Sequence, residues 1–332
     1  MHLVRSGALV GFDSLVRRYG ENPVLLIREA GLSEAQFRNP DTYISYSKMA
    51  LLLELAAAKC RAPLFGLILA EQNFSDVLGG LPAAVSQESS VGLALERLSQ
   101  HIYLVAKGVG IELVEKSEST QLRMGFDFDS VMGTQQLLQL SVAHLANITA
   151  RFMGVNRFSL ALCLCQGEPK LANKQGSIFY KNTVFASVFD GLLVDSELLS
   201  LRPVLGEVAL QEHLHERLKV LQAQHPRTLR SQVRVLIAQL LSTSECGVEA
   251  IASSLDIHPR ILQARLKREG TSYSELLKET RLAIAEESLL NRDVAITDLA
   301  LHLGFADVAV FSRSFKRWAG LSPRAWRSKF AE

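Results

Sequence analysis

Two short segments near the end of the chain carry side chains whose types and spacing suit hydrogen bonding to the edges of bases. In the first segment, Arg260, Gln263 and Lys267 follow at intervals of three and four residues and therefore share one face of a helix. The second segment places a similar set on one face: Val308, Ala309, Ser312, Arg313 and Lys316. In the major groove, Arg reads guanine, Gln reads adenine, and small apolar groups meet the thymine methyl. These residues predict readout of duplex DNA rather than catalysis.

Both segments belong to a repeated pattern. Ile251-Ala-Ser-Ser-Leu-Asp-Ile257 matches Leu299-Ala-Leu-His-Leu-Gly-Phe305 at an offset of 48 residues. The Lys-Arg pairs that end at Arg268 and Arg317 follow at an offset of 49. An offset that drifts by one residue at a loop indicates a duplicated helical unit.

Each copy has the pattern of a helix-turn-helix motif, which we predict at residues 248–268 and 296–317. Gly304 suits the left-handed position of the turn, and Asp256 tolerates it. Pro259 suits the first position of the second helix. We expect six apolar residues of the two second helices to face inward: Ile261, Leu262, Leu266, Val310, Phe311 and Phe315. A plain helical bundle with polar outer faces is the alternative, and the duplication argues against it.

Ten residues are predicted to contact DNA. Base reading is assigned to Arg260, Gln263 and Arg313, and phosphate binding mainly to Lys267, Lys316 and Arg317. The full set is His258, Arg260, Gln263, Lys267, Val308, Ala309, Ser312, Arg313, Lys316 and Arg317. A linker helix predicted at 274–290 spans about 25 Å and can place the two second helices in adjacent major grooves, roughly 34 Å apart. One chain could then read one asymmetric site.

Composition and charge bound the class of protein. The 332 residues are 48% hydrophobic and 21% charged, which suggests two globular domains and excludes a disordered or collagenous chain. Residues 227–332 hold 16 Lys and Arg against 12 Asp and Glu, and the stretch 313–329 holds six basic residues and no acidic one. No apolar run is long enough for a membrane helix, and the four cysteines match no zinc spacing. We expect a reduced, cytoplasmic protein with no metal, no cofactor and no membrane partner.

The polar stretch 222–228 contains Pro226 and predicts a domain boundary near residue 225, which gives domains at 1–224 and 225–332. A helix predicted at 207–224 precedes the boundary. It carries an apolar stripe that is a candidate for dimerisation: Leu210, Leu214, Leu218 and Leu221. The same stripe could instead close the core of the first domain.

The first domain is predicted to be mixed α and β, and the second to be all helix. Helical periodicity runs through 9–30, 45–60, 63–73, 91–107 and 133–153, with a short helix at 195–201. Strand-like runs lie at 110–115, 121–128, 157–165 and 177–185.

Other residues of the first domain could do chemistry, but a structural role is favoured for each of them. Cys163 and Cys165 lie on one face of the expected strand, where side chains two residues apart rarely reach disulfide geometry. His101 and His144 could bind a ligand or a metal, but neither has a second metal ligand four residues on. Paired carboxylates, here at positions 127 and 129, could do acid–base work, although a solvated strand face is favoured.

Residues 228–329 resemble the DNA-binding domain of the AraC/XylS family of bacterial transcription regulators. The matching residues are Ile296-Thr-Asp-Leu-Ala-Leu-His-Leu-Gly-Phe305, Phe311-Ser-Arg-Ser-Phe-Lys-Arg-Trp318 and Gly320-Leu-Ser-Pro-Arg-Ala-Trp326. Two positions depart from the family pattern. His258 stands where Ser is usual, and Ala264 stands where a basic residue is common, which bears on the base preference of the first motif and not on its fold.

The first domain resembles the sensor half of a subgroup of this family, the type found in ornithine-utilisation and virulence regulators. The resemblance rests on Gly31-Leu-Ser-Glu-Ala-Gln-Phe37, Val188-Phe-Asp-Gly-Leu-Leu-Val-Asp-Ser-Glu197 and Leu201-Arg-Pro203. It implies an α+β domain that senses a ligand and dimerises, with a lipid-like or small carboxylate effector whose pocket residues remain unassigned. It also implies an activator that works with promoter DNA and RNA polymerase, and no enzyme.

Two alternatives stay open from the sequence. The first is an effector-independent regulator whose N-terminal domain only dimerises. The second is a DNA-alkylation repair enzyme that uses the same helical module beside a cysteine-rich zinc centre, which the cysteine spacing disfavours.

Overall fold

The computed structural model describes residues 2–37, 40, 42–72, 78, 81–170, 176–204, 228–241, 246–290 and 294–330. The chain divides into two compact units, Met1–His225 and Pro226–Glu332. Among the described residues, no helix is both long and apolar enough to span a bilayer.

The N-terminal unit combines helices with two small sheets, so the α+β prediction is confirmed. Its helices are α1 (Phe12–Arg18), α2 (Pro23–Glu29), α3 (Tyr46–Lys59), α4 (Phe65–Gln72), α5 (Leu81–Val85), α6 (Val91–His101), α7 (Gln135–Met153) and α8 (Ser196–Leu199). Its strands are β1 (Leu3–Arg5), β2 (Tyr43–Ser45), β3 (Val109–Glu115), β4 (Ser119–Phe126), β5 (Ala161–Cys163), β6 (Thr183–Val184) and β7 (Gly191–Asp195).

Strands β1 and β2 pair antiparallel, and the other five form a sheet in the order β3-β4-β7-β5-β6. All neighbours in this sheet are antiparallel except β5 and β6. The hairpin of β3 and β4 aligns Val109 with Phe126 and Glu115 with Thr120. Helix α7 packs against α3, α4 and α6 and against β4, β5 and β7, and its buried residues make it the centre of this unit.

Two buried glutamines of α7 hold the first turn of α4. The side chain of Gln136 accepts a hydrogen bond from the amide of Gly66 (2.9 Å) and donates one to the carbonyl of Pro63 (3.0 Å), and Gln139 also donates to Pro63 (2.9 Å). The bond from Gly66 satisfies an amide that a helix N-terminus leaves unpaired, and the bonds to Pro63 tie the residue before the helix to α7. The helices approach so closely that a β-carbon on Gly66 would overlap the carbonyl oxygen of Gln136.

Several predicted elements of the N-terminal unit were wrong in kind or extent. The predicted helix at 9–30 is two helices separated around Gly20, which has a positive φ of 81°. The predicted strands at 157–165 and 177–185 each contain a 3₁₀ turn, with strand only at β5 and β6. Cys165 therefore lies beyond the strand that holds Cys163. Strands β1, β2 and β7 were not predicted.

The C-terminal unit contains only helices among its described residues, as predicted. They are α9 (Leu229–Leu240), α10 (Val248–Ser254), α11 (Pro259–Arg268), α12 (Tyr273–Leu290), α13 (Ile296–His302), α14 (Val308–Ala319) and α15 (Pro323–Phe330). The predicted linker helix is α12, which begins one residue earlier than expected. The hydroxyl of Thr228 caps α9 in a capping box with Ser231.

The turns of both motifs adopt the backbone that the sequence predicted. Asp256 has a φ of 53° and Gly304 a φ of 71°, so each occupies the left-handed region. A β-carbon on Gly304 would lie 2.5 Å from the carbonyl oxygen of Leu241. Glycine is therefore required at the second turn both for its conformation and for its close approach to α9.

The linker helix α12 is tied to the elements around it by polar contacts. Arg281 donates to the carbonyls of Leu303 (3.0 Å) and Gly304 (3.4 Å), and its guanidinium lies 4.4 Å from the ring centre of Phe305. Near the start of the helix, the hydroxyl of Tyr273 donates to the carbonyl of Cys246 (2.7 Å). These contacts fix the second turn and the entry to the first motif on one helix.

Gly66→Ala is expected to lower the free energy of unfolding of the N-terminal unit by about 1–3 kcal/mol, because the added methyl group must push α4 away from α7. Gly110→Ala is the matched control, since no atom lies within 4 Å of its β-carbon position. Urea unfolding followed by circular dichroism measures both variants. Equal, small losses in the two would contradict the tight contact between α4 and α7.

Gly304→Ala is expected to destabilise the C-terminal unit more than Gly320→Ala, by at least about 1 kcal/mol. Both positions have a left-handed φ, 71° and 78°, but only Gly304 faces a backbone oxygen. Both tryptophans of the chain, Trp318 and Trp326, lie in this unit, so tryptophan fluorescence during urea unfolding reports on it alone. The same loss of stability in both variants would show that the left-handed conformation, and not the approach to Leu241, sets the cost.

Candidate nucleic-acid interface

The second helices of the two motifs, α11 and α14, are the reading helices of the predicted interface. Each is anchored by two fully buried residues four positions apart, Leu262 and Leu266 in α11 and Phe311 and Phe315 in α14. A pair with this spacing fixes which face of a short helix points to the core. The opposite face is left to solvent.

The predicted DNA-contacting residues lie on the solvent side of both reading helices. In α11, Arg260, Gln263 and Lys267 are exposed, as is His258 just before the helix. In α14, four of the predicted residues are exposed and two are half-buried: Ala309, Arg313, Lys316 and Arg317, then Val308 and Ser312. Each helix therefore offers a continuous face on which guanidinium, amide and ammonium groups are free of the core.

Two apolar residues that were expected to face inward are exposed instead. Ile261 is 46% exposed and Val310 is 42% exposed. They occupy the same position in the two copies, one residue before the first buried anchor. Successive residues on a helix are about 100° apart, so the core contact of a two-residue anchor does not extend to them. An exposed aliphatic group at this position can meet a thymine methyl, a role that the sequence reasoning missed.

Different groups cap the two reading helices. The Nδ1 atom of His258 accepts a hydrogen bond from the amide of Arg260 (3.2 Å), so the imidazole takes the place of the more usual hydroxyl. The carboxylate of Asp307 accepts from the amide of Ala309 (2.6 Å). Both caps orient the first turn of their helix. The cap of α14 is a carboxylate with a formal negative charge, whereas the cap of α11 is an imidazole.

A groove beside α14 adds groups that suit a phosphate. It is lined by the starts of α13 and α15 and by α14, with Thr297, Ser312, Ser322 and Arg324 among its polar side chains. Arg324 is exposed, whereas Arg327 donates to the carbonyl of Val294 (2.5 Å). The hydroxyl of Ser322 caps α15 at the amide of Ala325 (3.2 Å). Of these, Ser312 was predicted to contact DNA, and Arg324 and Arg327 belong to the basic stretch at 313–329.

The cysteine pair and the paired carboxylates do not form a chemical site in the described part of the chain. Cys163 is buried and Cys165 exposed, and both are free thiols. Asp127 pairs with His2 at 3.0 Å. No cluster of three His, Cys, Asp or Glu residues that could hold a metal is found among the described residues. The stripe formed by Leu210, Leu214, Leu218 and Leu221 lies outside the residues that the structure describes.

Comparison with known proteins gives two family matches. Residues 251–329 match a helix-turn-helix domain, and residues 20–203 match the N-terminal arabinose-binding domain of AraC transcription regulator. The two matches together contain both motifs, both reading helices and most of the N-terminal unit. They describe transcription regulators rather than enzymes.

Curated relatives extend over nearly the whole chain. The HTH-type transcriptional regulator VirS of Mycobacterium tuberculosis is 26% identical over 331 residues, which cover 98% of this chain and 96% of VirS. The ornithine utilization regulator of Pseudomonas aeruginosa is 24% identical and covers 94% of this chain and 93% of its own. Among solved structures, the transcriptional regulator CdpR of Pseudomonas aeruginosa is 20% identical, covers 95% of this chain and 97% of its own, and has a TM-score of 0.35.

The arabinose-binding-domain match alone spans more than half of the residues, and the helix-turn-helix match accounts for both motifs. The chain therefore belongs to the AraC family of transcription regulators.

Proposed function

We propose that this protein is a transcription activator in which residues 225–332 bind promoter DNA and residues 1–224 bind a small-molecule effector. The observation that carries the DNA-binding half is the pair of reading helices. Each has a core side fixed by two buried residues and a solvent side that carries the side chains used for base recognition. Family membership supports the same function.

Within the interface, we assign base reading to Arg260, Gln263 and Arg313, with Ile261 and Val310 meeting thymine methyls. Lys267, Lys316 and Arg317 hold phosphates, together with Arg324 in the groove beside α14. The 18-residue linker helix is about 27 Å long and belongs to the same compact unit as both motifs. Adjacent major grooves on one side of the duplex are about 34 Å apart, and a unit of this size can place one reading helix in each groove.

Effector control and activation are supported by the family match and not by the geometry of a site. The match to an arabinose-binding domain supports a small-molecule ligand for the N-terminal unit. Activation requires that the DNA-bound protein contact RNA polymerase in the cytoplasm, where promoter DNA lies. The effector-independent alternative differs in one measurable respect, since its affinity for promoter DNA would respond to no ligand of the N-terminal unit.

We further propose that the chain forms a homodimer through the stripe of Leu210, Leu214, Leu218 and Leu221. This proposal rests on the sequence pattern, because these residues lie outside the described part of the chain. The alternative is that the stripe closes the core of the N-terminal unit.

Arg313→Ala and Lys316→Ala distinguish base reading from phosphate binding on one exposed helix face. Arg313→Ala should cost about 1–3 kcal/mol on the specific promoter fragment and little on unrelated DNA. Lys316→Ala should weaken both DNAs alike and reduce the dependence of log affinity on log salt concentration by about one. Fluorescence anisotropy with a fragment from upstream of the protein's own gene, at several salt concentrations, measures these effects. A uniform loss in both variants would remove Arg313 from the base readers, and no preference of the wild type for any such fragment would overturn specific binding.

Leu214→Glu tests the dimer. If the stripe is an interface, the variant should be a folded monomer that binds a single site normally and paired sites more weakly, because the linked second contact is lost. Lys219→Glu, a charge reversal off the stripe, is the control and should leave the dimer intact. Sedimentation with circular dichroism measures both. An unfolded or aggregated Leu214→Glu protein would assign the stripe to the core, since a buried carboxylate is costly.

A further inference from the structure

A cavity of about 50 Å³ lies inside the N-terminal unit, between the β3–β4 hairpin and helices α3, α6 and α7. By the space that one buried water needs, it has room for about four water molecules. Its walls are mostly apolar and come from elements far apart in sequence, among them Met49, Leu98, Ile111, Met124 and Leu145. Two of these residues are methionines, whose flexible side chains adapt to a guest more readily than branched ones.

One polar side chain on the wall is left without a partner. His144 of α7 lines the cavity and is only 8% exposed, and its Nε2 atom has no hydrogen-bond partner among the described residues. Burial, followed by the nearby charge of Arg157, lowers the pKa of this imidazole to about 4. The ring is therefore neutral near pH 7. A buried polar atom with no partner costs about 1–3 kcal/mol, a penalty that a hydrogen-bonding guest would remove.

The wall carries no formal charge. Apart from His144, the polar side chains that line the cavity are Tyr46 and Ser141, and none of the described lining residues is Lys, Arg, Asp or Glu. Burial raises the pKa of the Tyr46 phenol, so it stays protonated. A carboxylate or an ammonium group would lose its hydration here without gaining a counter-charge. The cavity is thus suited to an uncharged guest.

We infer that this cavity is the ligand site of the N-terminal unit, and that it takes a small uncharged molecule with an apolar body and one hydroxyl group, which pairs with Nε2 of His144. This assignment favours neither the small carboxylate nor the lipid-like effector that the family resemblance suggested. The inference rests on the proposed function only for the role of the guest as an effector.

The first test uses the full chain and two matched pairs of probes. Phenol and toluene have the same number of non-hydrogen atoms and differ in the hydroxyl group, whereas butan-1-ol and butyrate share a four-carbon chain and differ in charge. Titration calorimetry should show phenol binding roughly threefold to tenfold more tightly than toluene, which is the worth of one neutral hydrogen bond. Butan-1-ol should bind and butyrate should not. Equal binding of butyrate, or no binding of phenol and butan-1-ol, would overturn the inference.

Two variants locate the site. His144→Leu should keep toluene binding and abolish the preference for phenol, because the shape is nearly kept and the hydrogen-bonding nitrogen is lost. Val109→Phe, which adds a ring at a half-buried lining residue, should weaken both phenol and toluene. An unchanged phenol preference in folded His144→Leu, or unchanged binding in folded Val109→Phe, would place the guest elsewhere. If either variant does not fold, the imidazole nitrogen signals of the ¹⁵N-labelled wild type decide, since phenol must shift those of His144.

Binding of a promoter fragment by the same preparations separates this inference from the proposed function. A chain that binds the fragment but neither phenol nor butan-1-ol overturns the cavity site and leaves the DNA-binding regulator intact. A chain that binds phenol through His144 but recognises no promoter fragment supports the cavity site and overturns the regulator.

Discussion

The position of the second reading helix depends on the guanidinium of Arg281. A short helix ends in unpaired carbonyl groups, and here those of Leu303 and Gly304 accept hydrogen bonds from a side chain of the linker helix. The same guanidinium stacks on Phe305, the apolar residue of the turn. Burial lowers the pKa of Arg281, yet an arginine stays charged at any physiological pH, so the clamp does not titrate. The turn that aims α14 is therefore held by the helix that joins the two motifs.

The two motifs share a scaffold but present different faces to solvent. The exposed face of α11 carries Arg260, Gln263 and Lys267, whereas the first turn of α14 exposes Ala309 and Val310 before Arg313 is reached. Under the proposed assignment, both faces can meet thymine methyls, through Ile261 and Val310, but α11 offers a guanidinium and an amide to purines, whereas α14 offers a single guanidinium. Two unlike faces on one compact unit favour an asymmetric DNA site with a defined direction. A single chain that binds such a site has a fixed direction on the DNA without a partner subunit.

The sequence predicted the helical unit well because its rules are local. Asp256, Gly304, Pro259 and Ser322 each adopt the turn or cap that their chemistry favours. The prediction that Ile261 and Val310 face inward was wrong. Hydrophobic periodicity marks residues that can face a core, but it does not show how much of the helix circumference the core contact covers. In the N-terminal unit, strands of two to five residues were too short for alternation to be visible. Phe158 and Phe179, which suggested strands, instead pack around Arg157 in 3₁₀ turns.

The cavity lay beyond sequence reasoning, because His144 and the residues around it come from elements that only the fold brings together. Its existence bears on how a sensor unit works. In the N-terminal unit, unfilled space lies beside the unpaired buried Nε2 atom of His144. Both features reduce the stability of the unit in the free state. A guest that fills the space, pairs the nitrogen and binds only the folded unit stabilises that unit, by an amount that rises with the logarithm of the free guest concentration above the Kd. Such a guest can shift the unit between conformations only by the difference between its affinities for them, and the filled space and the paired nitrogen are the contacts that would supply this difference.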